Sequence, residues 1–247
     1  MTDTRRLNSD RKPGYMAEHE YRQGGAVRPV DAATLIIVRR DGPKPRILLG
    51  RRSAKHRFMP NKYVFPGGRV DVGDGRLQPP TALHPAVLQR LQKSCSPQRA
   101  RALAMAAIRE TYEEAGIVVG EAESPTLKSR SPAWREFLRH DINPRLDHLY
   151  YIGRAITPPY RSRRFDTRFF LLDAAREGKE LFTRKKGSDE LLELQWLDFD
   201  GAQQLALPNI TKVMLHEVGK KLQQGLSYDQ PGPFIHARHG KIVIAEE

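Results

Sequence analysis

The chain has 247 residues, 42 Lys+Arg against 29 Asp+Glu, a formal net charge of +13, 39% hydrophobic residues and one cysteine, Cys95. That length supports a real buried core, while a lone cysteine excludes intrachain disulfides and multi-cysteine zinc or iron–sulfur sites, so a reduced, cytoplasmic setting is expected. No run approaches the ~18 apolar residues of a membrane-spanning helix, and the charged opening lacks the apolar centre of a secretory signal, so no membrane partner is expected.

The positive charge is uneven: residues 1–62 hold 15 Lys+Arg against 6 Asp+Glu. A basic front of this kind suits a polyphosphate substrate or a nucleic acid. The basic residues are scattered, however, and no RNP-like aromatic string or helix-turn-helix pattern accompanies them. Nucleic acid therefore stays the weaker of the two partners.

Residues 1–28 are polar and aperiodic, which predicts a flexible basic arm ahead of a single domain over 29–247. From Ala32 the pattern becomes strand-like: ATLIIV, a turn at Asp41–Gly42–Pro43, then RILLG, a hairpin signature. YVFPGGRV follows as a short strand that opens into a glycine turn. Residues 75–96 contain three prolines and one short helical stretch, the look of an inserted excursion. Ser96 then suits an N-cap and Pro97 the first helical position. PQRARALAMAAIRETYEEA has no internal Gly or Pro, and Gly116 stands where a terminal glycine would stop a helix of about five turns. A short strand IVV comes next. Beyond it the pattern predicts a helix around Ala133–Arg139, strands near His148–Ala155, Phe165–Leu172 and Leu191–Leu197, and helices near Phe199–Leu205 and Thr211–Gln223. Phe165, Phe169 and Phe170 are read as strand core rather than a base-stacking platform, and Cys95 as an inert thiol. His56, His148 and His236 lack ligand spacing.

Chemistry concentrates on the long helix. Glu110 and Glu113 are three apart and Glu110 and Glu114 four apart, so three carboxylates share one side of one turn beside Arg109. Like charges so close repel unless a cation lies among them, and an all-oxygen set suits hard divalent ions such as Mg²⁺ or Mn²⁺.

With Gly67–Gly68 after a strand and Gly116–Ile117 after the helix, this arrangement resembles the box of the Nudix hydrolases, G-x5-E-x7-R-E-U-x-E-E-x-G-U with U aliphatic. Gly68 leads to Asp74 at the first acidic position, and Arg109–Glu110–Thr111–Tyr112–Glu113–Glu114–Ala115–Gly116–Ile117 completes it. The chain departs from the box in three ways. Asp74 replaces Glu, Thr111 replaces an aliphatic residue, and 34 residues separate Asp74 from Arg109 where seven are usual, an insertion of 27. Upstream, Leu48, Leu49, Arg52, Ser53, Arg57 and Phe65–Pro66–Gly67–Gly68 resemble a signature of coenzyme A diphosphatases, with Gly50 and Asn61 as departures. The downstream stretches ITPPYRSRRFDTRFFLL and SDELLELQWL look like the long-insert branch of that group.

The resemblance implies a Nudix α/β/α sandwich, class α/β (α+β), with a mixed sheet. It implies hydrolysis of a nucleoside diphosphate linked to a group X, most readily CoA or acyl-CoA, with ADP-ribose, NADH, dinucleoside polyphosphates or capped RNA as alternatives. By correspondence the Gly67 carbonyl, Glu110, Glu113 and Glu114 are metal ligands. Glu113, Glu114 and Arg109 are catalytic, with Glu190 a candidate base on a later loop. Arg52, Arg57, Gly68 and Arg164, with Arg163 beside it, bind substrate. Many relatives are dimers, so a homodimer is also expected.

Overall fold

Alternating apolar residues between Ala32 and Val38 put two sets of side chains on opposite faces of one strand, and both sets are buried. This dictates a sheet covered on both sides. The computed structural model describes residues 27–54, 59–122, 126–176, 182–183 and 191–247. The strands are β1 (Val30–Arg39), β2 (Arg46–Arg52), β3 (Tyr63–Val64), β4 (Gly67–Arg69), β5 (Ile117–Val118), β6 (Glu121–Ala122), β7 (Ile142–Asn143), β8 (Tyr150–Ile156), β9 (Phe165–Asp173), β10 (Phe182–Thr183), β11 (Leu191–Asp198), β12 (Pro233–Arg238) and β13 (Lys241–Glu246). The helices are α1 (Val72–Arg76), α2 (Pro85–Gln92), α3 (Pro97–Ala115), α4 (Pro132–Leu138), α5 (Phe199–Gln203) and α6 (Asn209–Gln224).

Among the described residues nine strands form one sheet in the order β11-β2-β1-β9-β8-β12-β13, with β3 beside β2 and β4 beside β1. The sheet is mixed, because β1 runs parallel to β9 and β12 parallel to β8 while the other pairs are antiparallel. Ala33, Leu35 and Ile37 face a core completed by α2, α3 and α4. Ile36 and Val38 face a second core beneath α5 and α6, built with Leu171, Met214 and Val218. The expected mixed-sheet α/β sandwich is the observed one.

The elements expected from sequence are present, with ends shifted by a residue or two. Ser96 caps α3 by accepting from the Arg99 N–H, and Gly116 ends it at φ 68°, a left-handed geometry that glycine adopts without strain. The 75–96 stretch is more integrated than an excursion. Leu83, Val87 and Leu91 are buried in the α3 core. Arg90 donates to the Tyr151 carbonyl at 2.8 Å and stacks over the Tyr151 ring. The hairpin β12–β13 was not anticipated. Its signal is Ile235–Arg238, alternating, and the β-branched run Ile242–Ile244 on either side of His239–Gly240, two residues at φ 49° and 75° that form the tight turn a hairpin requires. The expected basic arm, 1–28, lies almost wholly outside the described residues.

Candidate active site

The site begins where β1 changes partners. Near its end β1 pairs with β2 (Val38↔Ile47), but over Ala32–Thr34 it pairs with β4 instead. That exchange brings Gly67 and Gly68 beneath the last turns of α3. A Cβ on Gly67 would lie 2.6 Å from the Ala33 carbonyl oxygen, and one on Gly68 would lie 2.5 Å from the Glu110 carboxyl carbon. Gly67 is therefore demanded by close approach of backbone, whereas a side chain at 68 would push the Glu110 carboxylate out of its place. Gly67 contributes a further contact, its N–H donating to Glu114 Oε2 at 2.8 Å.

Arg109 organises the rest. Its Nε and Nη2 hold Asp74 in a fork at 2.8 and 3.0 Å, Nη1 donates to Glu110 at 2.8 Å and to Glu113 at 2.6 Å, and Nη2 also donates to the Arg69 carbonyl at 2.8 Å. All five guanidinium hydrogens are thereby engaged. Burial works against its charge, but the Asp74 hydrogen bond and the charges of Glu110, Asp74 and Glu113 outweigh burial and raise its pKa.

Asp74 is fully buried. Besides the Arg109 fork it accepts from Trp134 Nε1 at 2.9 Å and from the Asp71 N–H at 2.7 Å, the latter as part of a capping box that starts α1. The shorter acid at the first box position thus reaches Arg109 because α1 lifts it into place. Trp134 and α1 were not singled out from sequence; the Asp71–Asp74 spacing is the capping signal that points to the helix. Thr111, at the aliphatic position of the box, sits buried with its hydroxyl donating to the Ala107 carbonyl at 2.8 Å, so its polarity is satisfied inside its own helix.

Asp74, Glu110 and Glu113 share a single guanidinium, three carboxylates on one cation. Glu110 registers it: burial raises its pKa to about 7 against the downward pull of Arg109, with Glu113 and Asp74 adding repulsion. Among the described residues no three acidic, histidine or cysteine side chains already converge on one point as a closed ion cage. Glu110, Glu113 and Glu114 nonetheless fit a hard divalent cation, because they offer only oxygen donors and line a cleft of about 1600 Å³.

The rest of the cleft lining is basic and partly apolar. Arg52, Arg69, Arg163 and Arg164 all line it, as do Phe165, Phe169 and Ile210. Arg164 spends part of its guanidinium on the Thr157 and Val27 carbonyls, at 2.9 and 2.8 Å, and Arg163 is exposed. Phe169 and Phe170 are buried as expected, whereas Phe165 is half-buried at the cleft surface. Cys95 is half-buried, and burial raises its thiol pKa, in keeping with an inert thiol. Of the site residues named from sequence, the fold brings together Arg52, Gly67, Gly68, Arg109, Glu110, Glu113, Glu114 and Arg164. Arg57 and Glu190 lie outside the described residues, as does His56.

Two outcomes follow from this geometry. Gly68→Ala drives a methyl into the Glu110 carboxylate, so turnover is expected to fall by at least ~10²-fold while the thermal midpoint moves by only a few degrees; unchanged kcat would refute the contact. For Glu110, a raised folded pKa means the folded state keeps its proton longer than the unfolded chain. Its stabilising effect is present below about 4.5 and lost as pH rises through about 7. Without divalent cations, the wild type is expected to lose up to about 3 kcal/mol relative to Glu110→Gln across that window. Urea titrations of both proteins between pH 4.5 and 7.5 in EDTA measure it, and parallel curves would contradict it.

No protein-family model matches the chain. Among curated proteins, the acyl-coenzyme A diphosphatase NUDT19 of Gallus gallus is 29% identical over 51% of this chain and 47% of its own. The chain thus spans about half the length of that relative. Among solved structures, a Nudix hydrolase from Alicyclobacillus acidocaldarius matches with a TM-score of 0.60 and 26% identity over 83% of this chain and 99% of that one. A mixed sheet between helical layers, with a glutamate-bearing helix laid across a Gly-Gly strand, defines the Nudix class of fold. The chain has that fold and is similar in sequence to Nudix hydrolases.

Proposed function

We propose that the protein is a metal-dependent diphosphatase that cleaves the pyrophosphate of a nucleoside diphosphate linked to X, with CoA or acyl-CoA the favoured substrate and 3′,5′-ADP a product. The observation that carries the reading is one cleft lined both by three glutamates, which Arg109 and Gly67 hold in place, and by several arginines. Glu110, Glu113, Glu114 and the Gly67 carbonyl would hold Mg²⁺ or Mn²⁺. Such ions, when bound, neutralise phosphoryl oxygens and acidify bound water. The remaining work belongs to the chain. Arg109 fixes the glutamate carboxylates so that little reorganisation is needed as charge develops on phosphorus oxygens. Arg52, Arg163 and Arg164 offer forked donors for phosphate groups, and Gly68 lets Glu110 lie flat on the strand. The proton of the attacking water passes to a carboxylate, for which Glu113, the most open of the three at 37% side-chain exposure, and Glu190 on its later loop are the candidates.

The CoA preference is supported by Arg52, Ser53, Arg57 and the Phe65–Gly68 tetrad in register, and by the limited similarity to NUDT19. Products from CoA, acetyl-CoA, ADP-ribose, NADH, diadenosine polyphosphates and capped RNA, with Mg²⁺ and with Mn²⁺, test it. Fastest release of 3′,5′-ADP from CoA or its thioester is expected. Dominant AMP from ADP-ribose or NADH would keep the chemistry and reject the CoA preference. Absence of metal-dependent turnover on the whole panel would reject the enzyme. A cytoplasmic setting and a homodimer belong to the same proposal. Among the described residues no helix is long and apolar enough to cross a membrane.

A further inference from the structure

Helix α6 starts at the cleft with its first N–H donors open. Pro208 occupies the cap position, where proline offers no side-chain acceptor, and no acid stands in the first turn. The first intrahelical bond runs from the Lys212 N–H to the Pro208 carbonyl, so the N–H groups of Asn209, Ile210 and Thr211 have no partner within the helix. Among the described residues no side chain caps them. Aligned peptide dipoles leave about half a positive charge at such an end. A buried side chain points to the same kind of ligand. Thr211 is 4% exposed and lines the cleft, and among the described residues its hydroxyl has no hydrogen-bond partner. Buried hydroxyls normally find one; this one opens onto the cleft instead.

Backbone contacts fix where this group of donors lies. The Tyr63 N–H donates to the Ala206 carbonyl at 3.2 Å, tying β3 to the turn just before α6, and the Arg52 N–H donates to the Lys62 carbonyl at 2.9 Å beside it. Pro208, Ile210, Thr211 and Arg52 accordingly line the one cleft. Ile210 packs on the core that contains Phe65 and Phe169. Phe65 closely precedes Gly67, and Phe169 pairs with Thr34, which is itself the strand partner of Gly67. The start of α6 therefore belongs to the Gly67 end of the cleft. It differs in chemistry from the glutamate cluster, because it presents backbone N–H groups, a hydroxyl and a guanidinium but no carboxylate. Such a set suits a phosphate group rather than a cation. Resting on the diphosphatase reading above, we infer that the start of α6, with Thr211 and Arg52, is a phosphate subsite: it holds a phosphate group that is not cleaved, apart from the diphosphate at the glutamates.

The test is a calorimetric titration of the full chain in EDTA, where no divalent ion can hold a phosphate, with inorganic phosphate, AMP and 3′,5′-ADP as probes. The two nucleotides differ by one phosphate group, so their affinity ratio reads the subsite. Wild type is expected to bind 3′,5′-ADP at least ~10-fold more tightly than AMP, the worth of one hydrogen bond to a charged group. Asn209→Glu places an acid at an exposed position of the first turn, and Thr211→Val removes the hydroxyl at nearly constant shape. Each is expected to cut the ratio below about threefold, the first by occupying the helix end with its own charge and the second by deleting a donor. The thermal midpoint of Asn209→Glu should hold or rise, because an acid there complements the helix dipole, so lost binding is not lost folding. Binding of inorganic phosphate that both variants weaken, with 3′,5′-ADP no better than AMP, keeps the subsite and makes free phosphate its ligand. Equal affinity for the two nucleotides without phosphate binding, or a ratio that neither variant changes, would overturn it. If panel substrates are cleaved and the variants change nothing, the subsite alone falls. If the variants lower the ratio and no panel substrate is cleaved, the diphosphatase reading falls and the anion site stands.

Discussion

Glu113→Gln and Glu114→Gln are each expected to lower kcat by ~10³-fold or more, while the circular-dichroism spectrum and thermal midpoint stay near wild type. The scale is that of removing one preorganised charged or hydrogen-bonding group at a transition state. Stability should hold because the exchange is nearly isosteric. The amide oxygen of Gln at 114 can still accept the Gly67 N–H at the present 2.8 Å. Glu113 is partly open, so loss of its ion pair with Arg109 removes a half-solvated contact rather than a buried one. What changes is charge: a neutral amide is a poor ligand for a hard cation and no base. Steady-state rates at saturating Mg²⁺ on whichever panel substrate the wild type cleaves provide the check. Wild-type kcat in either variant would remove the glutamates from the site.

Arg109 is expected to produce the largest loss of stability. Arg109→Ala strips Asp74 of a two-pronged cation while leaving that carboxylate fully buried. Breaking a buried pair from one side costs about 3–5 kcal/mol. It also removes the shared donor between Glu110 and Glu113, whose repulsion is then unopposed. Arg109→Lys keeps the charge but presents three donors where five are used, so it should recover part of the stability and little of the activity. Adding Asp74→Asn to Arg109→Ala removes the stranded charge and should restore stability, giving a coupling well above ~1 kcal/mol in a double-mutant cycle. Urea denaturation of the wild type, Arg109→Ala, Arg109→Lys, Asp74→Asn and the double variant measures these effects. An Arg109→Ala variant within ~0.5 kcal/mol of wild type would mean that Arg109 does not organise the site.

Much of this site was readable because its chemistry is local. Arg109, Glu110, Glu113 and Glu114 stand on one helical turn, and helical periodicity alone places their side chains together. Ser96, Pro97 and Gly116 mark that helix's ends by rules of backbone hydrogen bonding and φ that act over a few residues. The 27-residue insertion hid the link between Asp74 and Arg109, since no local rule says how a chain returns after a long detour. Trp134 was invisible for the same reason: its indole meets Asp74 from 60 residues away, and nothing in its neighbourhood distinguishes it from an ordinary core residue.

The sequence by itself determined the three-carboxylate helix face, its caps, the glycine pair, the main strands and helices, and the resemblance that names their class, because each depends on spacing within a few residues. Only the tertiary structure decided what surrounds that turn. It set the partner exchange of β1 from β2 to β4, the use of all five Arg109 donors, and the burial that raises Glu110 to about 7. Those features come from strand register and long-range packing, which sum many weak contacts between distant segments and leave no short pattern in the chain.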